Sequence, residues 1–131
     1  MKVQNFEIFE IHAAYCRALA SPKRLAILAC LDRREMCVGE LAEACDAPLS
    51  TVSRHLSVMK DKHLVISRHE GTRVYYRPAD DRIVSACSLI RRVLIDGMKK
   101  RGELAQEINP EENIITDEHE SADPSTEQEG T

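Results

Sequence analysis

The chain has 131 residues, of which 43% are hydrophobic and 31% charged, and it contains no tryptophan and no long apolar run. This composition supplies one modest hydrophobic core, and it excludes both a wholly disordered chain and a transmembrane helix. The five cysteines are irregularly spaced and the N-terminal segment contains acidic residues, so we expect no secretion signal and reduced thiols in the cytoplasm.

The net charge of −4 conceals two regions of opposite sign. Residues 103–131 contain ten acidic residues and no lysine or arginine, whereas residues 1–102 contain 18 basic and 12 acidic residues, a net charge of +6. We therefore predict a folded domain over residues 1–104 and an acidic, disordered tail over residues 105–131. The basic domain is suited to a polyanionic partner, and the acidic tail can compete with that partner for the positive charges of the domain.

The predicted elements begin with two helices. Apolar residues recur at helical spacing over residues 3–19 and predict the first helix. Ser21 followed by Pro22 is typical of an N-cap and first helical position, so the second helix begins there. This second helix is largely apolar and ends in the charged stretch 32–35.

Two short helices follow, over residues 38–45 and 50–60, joined by a tight turn at residues 46–48. In the second of them, one face is apolar at steps of three and four residues, and the opposite face carries serine, threonine and arginine side chains. Two short helices joined by about three residues are typical of a helix-turn-helix.

The hydrophobic period then changes to that of strands. The β-rich runs 64–68 and 73–77 flank residues 69–72, where Gly71 can take the positive φ of a hairpin turn. Helical spacing returns over residues 80–100 and predicts a long last helix. The predicted fold class is mainly α with a small β-hairpin wing, a winged helix-turn-helix of four helices, a hairpin and a fifth helix.

Four segments form a series along the chain: residues 18–28 (ALASPKRLAIL), 35–42 (EMCVGELA), 50–56 (STVSRHL) and 70–77 (EGTRVYYR). They resemble, in this order, the second helix, the entry to the third helix, the recognition helix and the wing of the arsenic-repressor (ArsR/SmtB-type) family of winged helix-turn-helix regulators. The resemblance implies a cytosolic homodimer built on the first and last helices. Such a dimer binds double-stranded operator DNA, represses an operon and is released by an inducer; no membrane partner is implied. The wide apolar faces of the two terminal helices agree with that interface.

The DNA contacts are predicted on the recognition helix and the wing. The major groove accepts one helix and is read by polar or basic side chains, and Arg54 has the chemistry for a bidentate contact with guanine. His55 lies toward the apolar face and has a second interpretation as a support for the helix. The predicted DNA-binding residues are Ser50, Thr51, Ser53, Arg54 and His55 on the helix and Arg68, Thr72 and Arg73 on the wing.

The predicted inducer is a thiophilic metal or metalloid ion, As(III) or Sb(III) first, because such ions prefer thiolates. Cys37 matches the first cysteine of the family's Cys-Val-Cys pair, but Gly39 stands at the second cysteine and Ala42 at an occasional third. His12 and Cys16, four residues apart on the first helix, are candidates for further ligands. The predicted metal ligands are therefore Cys37, Cys16 and His12, and no obligatory cofactor is expected.

Two alternatives keep the same fold. The first is a thiol-redox regulator in which Cys30 and Cys87 form a disulfide; otherwise Cys30 and Cys45 are interpreted as small buried hydrophobic residues. The second is a winged-helix regulator without a small inducer. An enzyme is not expected, because the sequence has no phosphate-binding glycine loop, nucleophile elbow or His-Glu-x-x-His motif.

Overall fold

The computed structural model describes residues 1–103, and the predicted tail over 105–131 lies outside the described residues. The predicted fold class is confirmed, with one addition, a short strand before the third helix. The elements described are α1 (Phe6–Leu19), α2 (Pro22–Leu31), β1 (Met36–Cys37), α3 (Val38–Ala44), α4 (Leu49–Asp61), β2 (Val65–Glu70), β3 (Arg73–Pro78) and α5 (Asp81–Lys100).

The predicted start of α2 is confirmed. Ser21 is in an extended conformation and its hydroxyl oxygen accepts a hydrogen bond from the backbone N–H of Arg24 at 3.3 Å, while Pro22 occupies the first helical position. Such an N-cap satisfies one of the free N–H groups at the helix start. The second half of α2, from Ile27 to Leu31, is buried.

The turn between α3 and α4 is a Schellman motif. Asp46 has a φ of 51°, and the backbone N–H of Ala47 donates to the carbonyl oxygen of Ala42 at 3.0 Å. The left-handed residue ends α3 and satisfies its last carbonyl groups. Pro48 is in an extended conformation and forms the N-cap of α4. Four residues therefore connect α3 to α4, which is the short turn of a helix-turn-helix.

The three strands form an antiparallel sheet in the order β1-β3-β2. Glu70 pairs with Arg73, so the hairpin loop contains only Gly71 and Thr72, and Gly71 has a φ of 64°. The predicted four-residue tip was too long, because Glu70 and the residue before it belong to β2. The strand β1 was not predicted; it pairs Cys37 with Tyr75 on β3.

The core is entirely apolar among the described residues. Its largest fully buried side chains come from α2, α3, α4, the first residue of β2 and the residue before it: Ile27, Leu28, Leu41, Val52, Leu56, Met59, Leu64 and Val65. Residues 1–88 form one compact unit, and the chain from Leu89 onward belongs to a second unit. Within residues 1–103, no helix has the length and hydropathy needed to cross a lipid bilayer.

Candidate nucleic-acid interface

The helix α4 has a buried face and a polar face. Its buried face consists of three fully buried side chains, Val52, Leu56 and Met59. Its other side carries the predicted base-contacting residues, of which three are exposed and two are half-buried: Ser50, Ser53 and Arg54, then Thr51 and His55. The spacing of Leu49 from Val52 and Leu56 predicts that it joins the apolar face, but Leu49 lies at the first position of the helix and is 58% exposed.

Arg54 is the strongest candidate for base recognition on this face. Its side chain is exposed, and no residue among positions 1–103 forms an ion pair with it. An arginine without a carboxylate partner keeps all its guanidinium donors for a ligand. The planar fork of these donors matches the two acceptors on the major-groove edge of guanine.

His55 supports α4 from behind. Its Nδ1 accepts a hydrogen bond from Nε of Arg24 on α2 at 3.1 Å. Burial lowers the pKa of His55, and the positive charges of Arg24, Arg54 and Lys23 lower it further. The imidazole is therefore neutral, carries its proton on Nε2 and connects α2 to the recognition helix. Its predicted role in DNA contact stays a prediction, while the supporting role is seen directly.

The wing brings Thr72 and Arg73 to the tip of the hairpin, where both are exposed. A hydrogen bond with the Tyr75 side chain raises the pKa of Arg73, so this guanidinium is held against β3 while remaining charged. Exposed donors at a hairpin tip are suited to phosphate contacts beside the groove that a recognition helix occupies.

Arg68 is already engaged within the protein. Its Nη1 lies 2.6 Å from Glu70 Oε1, its Nε lies 2.8 Å from Glu35 Oε1, and its guanidinium carbon lies 5.0 Å from the centre of the Tyr75 ring. Hydrogen bonds to Glu70 and Glu35 raise the pKa of Arg68. Two carboxylates offset its charge, so Arg68 is a weaker candidate for phosphate contact than Arg73.

Cys37 lies where the sequence predicts it, at the N-cap of α3, and it is half-buried. Its backbone N–H donates to Glu40 Oε1 at 3.0 Å, and its thiol also hydrogen-bonds to that carboxylate. Burial raises the pKa of Glu40, but the bonds from Cys37 and the charge of Arg34 outweigh burial and lower it overall. The thiol that was predicted to bind a metalloid therefore has an internal partner in this structure.

The other two predicted ligands, Cys16 and His12, are exposed on α1. Over residues 1–103, no three His, Cys, Asp or Glu side chains come close enough together to hold a metal ion. Cys37, Cys16 and His12 therefore do not form a three-ligand site within residues 1–103 of one chain. The metal assignment stays a prediction.

The comparisons with known proteins follow the same elements. A family model described as "Bacterial regulatory protein, arsR family" matches residues 21–67, from the N-cap of α2 into β2. The HTH-type transcriptional repressor SmtB of Mycobacterium tuberculosis is 33% identical over 97 residues, which cover 74% of this chain and 67% of that protein. The chain belongs to the arsR family of bacterial regulatory proteins.

Two further comparisons match most of the same elements. Nodulation protein NolR of Rhizobium meliloti is 37% identical over 81 residues, which cover 62% of this chain and 66% of NolR, just under two thirds of its length. The homodimeric winged helix-turn-helix DNA-binding domain of Mb0332 from Mycobacterium bovis has a TM-score of 0.67 at 28% identity, over 83% of this chain and 97% of that domain. The expectation that this arsR-family chain is a regulator and not an enzyme is confirmed by these relatives.

The sequence interpretation missed one pair of side chains in this arsR-family chain. Cys30 on α2 and Cys45 at the C-cap of α3 hydrogen-bond to each other through their side chains. Cys45 had been interpreted as a small buried hydrophobic residue, and Cys30 either as another or as a disulfide partner of Cys87. Their spacing of 15 residues carries no periodic signal, and only the packing of α3 on α2 brings the two sulfurs together.

Proposed function

We propose that this arsR-family chain is a homodimeric repressor that binds double-stranded operator DNA in the cytoplasm. The observation that carries the proposal is the exposed polar face of α4 with Arg54 at its centre, which no carboxylate within residues 1–103 neutralises. Residues 1–102 add a net charge of +6, which favours a polyanionic partner. The names of the relatives, a repressor and a DNA-binding domain, support the same function.

In the proposed complex, α4 enters the major groove and the wing contacts the flanking backbone. Arg54 reads guanine with two parallel hydrogen bonds, and the serine and threonine hydroxyls contact bases or phosphates. Thr72 and Arg73 at the hairpin tip contact the adjacent backbone or minor groove. In a symmetric dimer the two recognition helices meet half-sites about one helical turn apart.

The dimer is supported by apolar side chains that the single chain leaves exposed. On α1 these are Phe6, Ile8, Phe9 and Ile11, each at least 50% exposed. On the middle of α5 they are Leu89, Ile90, Val93 and Leu94, each at least 58% exposed. Apolar faces of this extent mark protein interfaces, because leaving them in water is costly. We assign both faces to contacts with a second copy of the chain.

We further propose that a thiophilic ion, As(III) or Sb(III) first, lowers the affinity of the dimer for its operator by binding Cys37. The position of Cys37 supports this role, since ligation at the N-cap would displace α3 and with it the turn into α4. One thiolate does not complete such a site, so the proposal draws the remaining ligands, Cys16 and His12, from α1 of the second subunit. No obligatory cofactor is part of the proposal.

The DNA-binding proposal is tested by fluorescence anisotropy on the DNA upstream of the gene, using wild type, Arg54→Ala and Arg82→Ala. Arg82 is the matched control, because it is an exposed arginine that is paired with Asp80 and lies outside α4 and the wing. Arg54→Ala should lose about 1–3 kcal/mol of binding free energy, whereas Arg82→Ala should bind like wild type. Equal affinity of both variants, or a monomer in sedimentation, would contradict the proposal.

The inducer proposal is tested on the preformed operator complex with As(III), Sb(III), Cd(II) and Zn(II) under reducing conditions. We expect As(III) and Sb(III) to release wild type and to leave Cys37→Ser bound. Gly39→Cys is the matched gain variant, because a Cβ at Gly39 meets no atom within 4 Å and the new thiol would stand near Cys37. The Gly39→Cys variant should be released from the operator at a lower As(III) concentration than wild type. Release of Cys37→Ser at the wild-type concentration would remove Cys37 from the site.

A further inference from the structure

Two cysteines on neighbouring helices form a paired thiol site that is separate from Cys37. Cys30 lies in the buried half of α2 and is 5% exposed, whereas Cys45 lies at the C-cap of α3 and is half-buried. Their side chains hydrogen-bond to each other, and neither is in a disulfide. The two sulfurs are therefore adjacent in the reduced protein, and the outer one can be reached from solvent.

A lysine completes this site. Lys23 lies two helical turns before Cys30 on the same face of α2, and its Nζ donates to the backbone carbonyl oxygen of Cys45 at 3.0 Å. The ammonium group is thus fixed beside the outer thiol. A nearby cation favours the thiolate form of a cysteine, and a partly exposed thiolate can react with oxidants.

The two thiols differ in acidity in the way that such a reaction needs. The hydrogen bond from Cys30 lowers the pKa of Cys45 to about 7; burial opposes this shift, and the charge of Lys23 adds to it. The same hydrogen bond raises the pKa of Cys30, and burial raises it further. About half of Cys45 is therefore thiolate at neutral pH and accepts the hydrogen bond, whereas Cys30 stays a thiol and donates it.

We propose that Cys30 and Cys45 are an oxidation site at which a hydroperoxide converts the two thiols into a reversible disulfide. The Cys45 thiolate attacks the peroxide oxygen, so that an S–O bond forms, the O–O bond breaks and the alcohol or water leaves with one proton. The Cys30 sulfur then attacks the sulfenic acid, so that the S–S bond forms and hydroxide leaves with the Cys30 proton as water. Two thiols and one hydroperoxide give one disulfide, one alcohol or water, and one further water.

The position of this disulfide connects it to DNA binding, and this consequence rests on the function proposed above. Cys45 directly precedes Asp46, the left-handed residue of the turn that leads into α4. A covalent bond to α2 shortens the distance between the two sulfurs to about 2 Å, which moves the end of α3 and the start of the turn. The oxidised protein should therefore bind the operator with a different affinity from the reduced protein.

The site is tested on the full chain, without DNA, by treatment with a small excess of hydrogen peroxide and peptide mapping under non-reducing conditions. Trypsin leaves Cys37 and Cys45 in one peptide, so a glutamate-specific protease is added to cut between them after Glu40 and Glu43. Wild type should yield a Cys30–Cys45 linked peptide that dithiothreitol removes. A different linkage, or no loss of these two thiols, overturns the proposal.

Variants separate the roles of the two sulfurs. Cys30→Ser should stop at a sulfenic acid on Cys45 that a dimedone-type probe traps, and Cys45→Ser should leave Cys30 reduced. Cys16→Ser keeps both thiols and should form the linked peptide like wild type. Lys23→Gln should slow the loss of the Cys45 thiol severalfold at pH 7, while Lys62→Gln should not. A sulfenic acid on Cys30 in the Cys45→Ser variant would contradict the assigned order.

The DNA consequence is measured on the same samples by operator titration. Oxidised wild type should differ from reduced wild type by at least severalfold, dithiothreitol should reverse the change, and oxidised Cys30→Ser should keep the reduced affinity. An unchanged affinity of the crosslinked protein overturns the consequence and leaves the linked peptide as proof of the site. Failure of the reduced protein to bind DNA would instead contradict the proposed function.

Discussion

Arg24 on α2 donates from Nε to Nδ1 of His55 on α4 at 3.1 Å. The same guanidinium donates from Nη1 to the carbonyl oxygen of Ala18 near the end of α1, at 2.9 Å. One side chain thus connects the end of α1, the helix α2 and the recognition helix. The contact holds α4 through the half-buried His55, beside the buried face, and leaves the exposed Ser50, Ser53 and Arg54 free for DNA.

Removal of this connection should destabilise the fold, and removal of the nearby exposed arginine should not. Arg24→Ala deletes two charge-assisted hydrogen bonds in a partly buried position, so the free energy of unfolding should fall by about 1–3 kcal/mol. Arg54→Ala should change it by less than about 0.5 kcal/mol, as is typical of exposed positions. Urea unfolding at one fixed protein concentration measures both. An equal loss in the two variants would show that the Arg24 contacts contribute nothing specific.

The same contact should make stability depend on pH. Burial and the charges of Arg24, Arg54 and Lys23 lower the pKa of His55 below its usual value of 6.5, so the unfolded chain takes up this proton more readily than the folded one. The stabilisation is therefore complete above pH 6.5 and is lost as the pH falls through the folded-state pKa. His55→Asn keeps an acceptor for Arg24 but does not titrate. Urea midpoints should fall more for wild type than for His55→Asn between pH 7.5 and 5, and parallel curves would refute this.

A third prediction concerns the paired arginine of the wing. Glu70→Gln removes one of the two carboxylates that pair with Arg68, the one 2.6 Å away, and should make this guanidinium more available for phosphate contact. DNA affinity at low salt should rise severalfold, and the slope of log affinity against log salt should steepen by about 1. Glu103→Gln is the matched control, because it changes the net charge equally and also frees an arginine, Arg101, outside the wing. If both variants shift affinity alike, the effect is one of net charge only.

The elements that follow from local chemistry could be predicted from the sequence. Ser21 and Pro22 mark the start of α2 by capping and ring geometry, the apolar positions of α4 recur at its own period, and Gly71 marks the hairpin. Each of these signals lies within a few residues of the structure that it specifies. The family model, which matches residues 21–67, covers the start of α2 and the whole of α4 but not the hairpin turn at Gly71.

The features that were missed or placed wrongly depend on contacts between distant residues. The two-residue strand β1 exists only because Cys37 pairs with Tyr75 on β3. Arg68 was predicted to contact DNA, which stays a prediction, but its pairing with Glu35, 33 positions earlier, was not foreseen. The Cys30–Cys45 pair also joins residues that are distant in the sequence. No periodicity relates such positions, since tertiary packing alone brings them together.

The conformation of the wing turn gives a fourth prediction. Gly71 has a φ of 64° and a Cβ there meets no atom within 4 Å, so Gly71→Ala is strained by the backbone alone and should cost about 1–2 kcal/mol. Gly39 on α3 has equally open surroundings and a helical backbone. Gly39→Ala should therefore raise the free energy of unfolding by about 0.5 kcal/mol. The two variants add the same methyl group and should shift the urea midpoint in opposite directions. A shift of the same sign would refute the backbone explanation.

The acidic C-terminal segment, which lies outside the described residues, gives the last prediction. Residues 107–131 contain nine acidic residues and no lysine or arginine, so truncation after Gln106 changes the net charge from −4 to +5. If the segment competes with DNA for the basic domain, the truncated chain should bind random-sequence DNA more tightly at low salt. The difference should vanish as salt screens the charges. A full-length variant with these nine acids changed to Asn or Gln separates charge from length and should match the truncated chain. Unchanged affinity for random DNA in both would show that the segment does not compete.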